Sequence, residues 1–277
     1  MALFALAATF IAVIIVRSGA LEIVPALATL AGALMLAVLA MLLAVGAAIM
    51  IWFDGSGGLR QAMAALSIGF ALIAYPLYLG LKAYRLPAIY DISTDPIDPP
   101  RFEAIARLRP RDANPVTYAG LYTAELQHAA YSDIEPDETN ATPQEAFDAA
   151  MKVITRRKWR IVDARAPQDA PPAPRLANAR ALPQVRGRDG LIEAVAFTPL
   201  LSFRDDVVVR IRATSDGARI DVRSASRYGR HDLGTNAARV RALISDIDDV
   251  LSQPVPEKKQ APPKTPQPTR KGASAKR

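Results

Sequence analysis

The densest set of chemically capable side chains lies between Arg204 and Arg241, where Ser224, Ser226, His231, Asp232 and the pair Asp205-Asp206 share a stretch with nine arginines. A hydrolase built from it would use Ser224 or Ser226 as nucleophile and His231 as base, with Asp232 or Asp205 orienting the imidazole. Neither serine sits in a Gly-x-Ser-x-Gly elbow, and a His-Asp pair adjacent in one loop does not by itself orient a base. A carboxylate pair at Asp205 and Asp206 fails on parity, because neighbouring strand residues point to opposite faces. No catalytic residue is assigned. An anion site is the stronger functional reading: Arg227, Arg230, His231 and Arg239 supply donors, and a helix opening at Asn236 aims unpaired N–H groups at the same place. The competing structural reading is a salt-bridge cluster of Asp205, Asp206, Asp221 and Asp232 with Arg210, Arg212 and Arg223, pinning a sheet to its last helix.

These residues need a hairpin and a helix to position them. Residues 204–226 alternate apolar and polar around Asp216-Gly217, and a two-residue turn there sets Ile211 opposite Val222, Ala213 opposite Ile220, and Arg212 opposite Asp221. One face is then apolar and the other charged, the second read as a solvated, salt-bridged surface. The helix that follows starts near Thr235-Asn236 and buries Val240, Leu243, Ile244 and Ile247. Its charges oppose the helix dipole, with Arg239 and Arg241 early and Asp246, Asp248 and Asp249 late, so an early arginine needs a partner elsewhere. Upstream, Thr142-Pro143-Gln144-Glu145 is a capping box that starts another helix. Strands are expected at Trp159–Ala164 and Leu191–Phe203, separated by a Pro-rich insertion at 165–189.

Three apolar runs precede all this, at about 1–16, 25–53 and 62–81, and residues 1–86 read as a three-span, multi-pass membrane anchor in the lipid bilayer. Small residues at Ala28, Gly32, Ala40, Gly46, Ala47 and Ala48 suit close helix packing. No charged residue interrupts the second and third runs, which disfavours a transporter. Residues 87–141 read as an extended, partly helical linker broken by prolines, residues 142–252 as an α+β domain, and residues 253–277 as a disordered Pro/Lys-rich tail. The net charge of +7 sits mostly in that tail, so the near-neutral domain shows no nucleic-acid footprint. With no cysteine and only His128 and His231, no metal site or cofactor is called for.

The segments DISTD and DPPRF, then FRDDVVVRI and DVRSASRYGRHDLGTNAARVR, resemble the family known as domain of unknown function 1499. The resemblance spans roughly residues 88–252. It implies an α+β domain with a small antiparallel sheet packed by helices, often joined to membrane spans, and no established activity. It further implies a bacterial inner-membrane protein with the domain on the periplasmic side, although Lys82, Arg85 and Arg101 after the third run favour the cytoplasm by the positive-inside rule. The resulting expectation is an anchored cell-envelope protein that binds or scaffolds an acidic component, an anionic lipid or envelope polymer. The alternatives are an envelope hydrolase and a purely structural, cytoplasm-facing interaction domain.

Overall fold

The computed structural model describes residues 1–19, 21–168 and 187–253. The expected tail from residue 254 on, and residues 169–186 of the expected insertion, lie outside them. Three helices open the chain: α1 (Ala2–Ser18), α2 (Ile23–Asp54) and α3 (Leu59–Arg85). Two of these, α2 and α3, are long and apolar enough to cross a membrane, whereas α1 has 17 residues and falls short of that length. Of the small residues singled out above, the contact seam includes Ala40. It runs along Ala26, Ala33, Ala37, Ala40 and Ala44 of α2, whose alternating spacing of seven, four and three is that of helices wound at a shallow angle. On α3, Gly69 lets the helices meet, since a Cβ there would stand 2.2 Å from Met41 Cγ.

The domain is an α+β unit around one antiparallel sheet. Its strands are β1 (Asp91–Ser93), β2 (Asp137–Thr139), β3 (Arg160–Arg165), β4 (Gly190–Phe197), β5 (Arg204–Ala213) and β6 (Ala218–Ser226). The order is β1-β6-β5-β4-β3, with β2 also pairing the outer edge of β6. Residues 87–141 therefore do not behave as a linker: β1 and β2 close that edge, and α4 (Ala104–Leu108) and α5 (Leu121–Ala130) lie between them. Closing an edge satisfies backbone groups that would otherwise invite another strand.

The hairpin register is shifted by two residues from the two-residue-turn expectation. Ile211 faces Ile220, Arg210 faces Asp221 and Arg212 faces Arg219, because residues 214–217 form a four-residue loop closed by the Thr214 N–H donating to the Gly217 carbonyl at 2.9 Å. Gly217 is required for a close approach: a Cβ would lie 2.1 Å from the Thr139 carbonyl oxygen at the end of β2. A shift of two preserves which face each side chain takes. Val207, Val209, Ile211, Ile220 and Val222 thus bury against α6 (Pro143–Arg156) and α7 (Thr235–Leu251).

The capping box on α6 forms as expected, with Thr142 Oγ1 accepting from the Glu145 N–H and Glu145 accepting from the Thr142 N–H. The start of α7 differs. Its N-cap is Gly234 in a left-handed conformation, and no side chain of Thr235 or Asn236 caps it. Asp232, two residues earlier, accepts from the N–H groups of Gly234 and Asn236 at 2.9 and 2.8 Å. At the far end of α7, burial and then the neighbouring charge of Asp137 push Asp248 up to about 6. A carboxyl that holds its proton more tightly folded than unfolded weakens the fold once ionised, so this penalty is present above pH 6 and fades as pH falls toward the ordinary Asp range. Asp248→Asn is predicted to raise the unfolding midpoint at about pH 7.5, with the gain shrinking at about pH 4. A gain independent of pH, read by thermal unfolding, would contradict this origin.

Candidate functional site

The charged face of the hairpin is covered rather than solvated. Residues 94–118 fold across it, and buried ions match each other in three groups. Arg223 donates to both oxygens of Asp91 at 2.9 and 2.7 Å and to the carbonyls of Pro100 and Val116. Its guanidinium stacks 4.7 Å from the Phe102 ring centroid, with Tyr118 also in reach. Asp206 takes Arg227 on one oxygen and Arg109 on the other. Asp221 gathers Arg210, Arg212 and Arg219, and those arginines reach on to Asp95 and Asp98. Glu193, fully buried, accepts the N–H groups of Glu103, Ala104 and Ile105 within 2.9 Å. Bidentate guanidinium pairs of this kind are geometrically demanding, and each needs both members to be worth burying.

On the other face, the corner between β6 and α7 is also internally matched. Asp205 pairs with Arg239 at 2.5 Å. Burial holds the Asp205 and Asp232 carboxyls above the ordinary range. Asn236 accepts from Ser224 Oγ and from Arg239, and its amide donates to the Tyr90 carbonyl and to Ser226 Oγ. Arg241 pairs with Asp133. Of the residues expected to hold an anion, Arg227 and Arg239 thus spend their donors on the chain's own carboxylates, and the α7 amides are taken by Asp232. Arg230 is exposed.

His231 is held by backbone groups on both ring nitrogens. Its Nδ1 accepts from the Leu233 N–H at 2.9 Å, which leaves the proton on Nε2 to be donated to the carbonyls of Ala83 and Leu86, each 3.1 Å away. Those carbonyls end α3, so the imidazole caps the last of the apolar helices with a residue from the domain. An imidazole with both nitrogens engaged has no lone pair for a serine proton. The hydrolase arrangement around Ser224 or Ser226 is therefore not assembled.

The same junction encloses a cavity of about 420 Å³, within the usual range for small-molecule sites of about 300–1,000 Å³. Leu27, Tyr75, Tyr78 and Leu79 of the apolar helices form one wall, and the β4–β5 loop at Pro199–Phe203 forms its domain side. Arg17, at the end of α1, holds that loop by donating to the carbonyls of Pro199 and Leu200 at 2.6 and 3.0 Å. Lys82, Arg204, Tyr228 and His231 line the polar end. A wider groove of about 940 Å³ between the α6 start and the α7 end mixes Glu145, Asp148 and Lys152. It touches neither the spans nor the 204–241 corner.

Sequence reasoning missed Asp91, Arg109, Glu193 and the cavity wall. The signal available for the first group was the parity of β5 and β6: five arginines on one strand face demand carboxylates from outside the hairpin, and the DISTDPID segment holds three. Removing Asp206 should leave two guanidinium groups buried without a counter-charge. Asp206→Ala is predicted to cost about 3–5 kcal/mol, whereas Arg230→Ala should stay within about 0.5 kcal/mol. Chemical unfolding of the full chain in detergent measures both, and equal effects would contradict the buried-pair assignment.

No curated protein and no solved structure matches the chain. The model of one family, described as a protein of unknown function (DUF1499), matches residues 91–247. That span begins at the first residue of β1 and ends on α7, taking in both the sheet and the covering segment 94–118. By this match over more than half of its length, the chain belongs to the DUF1499 family.

Proposed function

We propose that the protein is a membrane-anchored binding module, and that its ligand is an amphiphile received in the cavity between the apolar helices and the β4–β5 loop. The carrying observation is the make-up of that cavity: its apolar side continues the surface of α2 and α3, while its polar end joins domain residues to Lys82 near the end of α3. A ligand that lies partly in a bilayer and partly in water meets both. Catalysis has less support, because both serines and His231 are engaged in structural hydrogen bonds. Tyr75 and Tyr78 sit where aromatic residues mark a membrane interface. A photo-crosslinking residue at Leu201, introduced in intact membranes, should capture lipid, and the same residue at Leu108 should not. Capture at neither position, or equally at both, would remove the support for this site.

The distribution of charge favours one side of the membrane. Arg17, Lys82 and Arg85 stand at the domain end of the apolar helices, and Arg60 alone lies at the opposite end. The positive-inside rule therefore supports a multi-pass protein with a cytoplasmic domain, in place of the periplasmic expectation. A reporter joined after Leu251 is predicted to be active only in a form that works in the cytoplasm. Activity of an export-dependent reporter at that position would reverse the orientation.

A further inference from the structure

Through the described domain, buried guanidinium groups are matched by carboxylates: Arg109 and Arg227 by Asp206, Arg223 by Asp91, and Arg239 by Asp205. The polar end of the junction cavity is built differently, from cations that water still reaches. Lys82, half-buried, and Arg204, exposed at the start of β5, have no carboxylate partner among the described residues. The two acids on the same wall do not compensate them. Asp205 is turned to Arg239 and Ser226, and Asp232 to the α7 amides. The wall therefore carries two cations whose counter-charge the chain does not supply.

We infer that the occupant of this cavity is a phosphate-bearing anionic lipid, with its head group held between Lys82 and Arg204 and its chain against Leu27, Leu79 and the Pro199–Phe203 loop. This rests on the reading of the cavity as an amphiphile site and adds the chemistry of the ligand. Phosphate fits the pair better than a neutral head group, since a guanidinium offers a fork of parallel donors and an ammonium adds a point charge from a different element. A lipid fits better than a soluble phosphate because most of the remaining wall is apolar and continuous with the surface of α2 and α3. Arg17 adds a mechanical element: by holding the Pro199 and Leu200 carbonyls, α1 fixes the loop that closes the apolar side.

The test uses the full chain, exchanged into vesicles or nanodiscs of phosphatidylglycerol or of phosphatidylcholine and released for native mass spectrometry. Retained phosphatidylglycerol, with phosphatidylcholine lost, is expected. Lys82→Met with Arg204→Met should weaken retention by about tenfold or more. Lys82→Arg should preserve it, and Arg160→Met, on the opposite edge strand, should change nothing. Circular dichroism confirms that each variant is folded, and Arg204→Gln replaces the methionine variant if that one is not. Equal retention of both lipids, unaffected by the methionine variants, would overturn the head-group assignment while leaving the amphiphile cavity standing. Retention of no lipid by the parent chain would overturn both. Displacement of bound lipid by millimolar inorganic phosphate would overturn the lipid source, whereas resistance to it supports the lipid.

Discussion

Arg223 lies at the centre of the sheet with a full positive charge and almost no contact with water. That is tolerable only because Asp91 meets it with both oxygens and two carbonyls and two aromatic rings complete its surroundings. Asp91 belongs to β1 and Phe102 to the segment that crosses the sheet, so satisfying this one side chain recruits the chain from residue 91 to residue 118. The same logic repeats at Asp206, whose two arginines come from the covering segment and from the loop after β6. A sheet with helices on one face thereby acquires a second layer, made largely of matched ions and a small apolar cluster around Phe102, Ile105 and Val208.

This arrangement changes what the arginine-rich stretch does. Arg227 and Arg239 lock strands to their covers, Asp232 closes the α7 N-terminus, and His231 ties the domain to the last turn of α3. With Arg17 holding the β4–β5 loop from the end of α1, the domain touches the apolar helices through two separate polar clamps. Between them lies the cavity. Its position is a consequence of the clamps, because they fix the gap between loop and helices that no side chain of either fills.

Local features were legible in the sequence and distant pairings were not. The capping box at Thr142–Glu145 is decided by four consecutive residues. The faces of β5 and β6 follow from alternation and survive an error of two in register. The unfavourable dipole charges of α7 pointed to outside partners for Arg239 and Arg241, and the chain supplies Asp205 and Asp133. By contrast, 131 residues separate Asp91 from Arg223, and the proline-rich stretch holding Asp95 and Asp98 resembles a linker until its carboxylates are seen against the arginines. The cavity was hidden for the same reason, since its walls come from α2, α3, the β4–β5 loop and the corner before α7. Gly217 is a turn residue as its sequence suggests, and its lack of a side chain also lets the end of β2 approach.

The central claim is that the buried ions of the charged stretch are a structural lock, and that ligand recognition belongs to the junction between apolar helices and domain, which Arg204 borders. Filling that cavity tests it most directly. Leu201→Trp in the full chain, carried through lipid exchange beside the parent protein, is predicted to lose bound lipid while keeping its unfolding midpoint. Undiminished lipid binding in a folded Leu201→Trp protein would contradict the account.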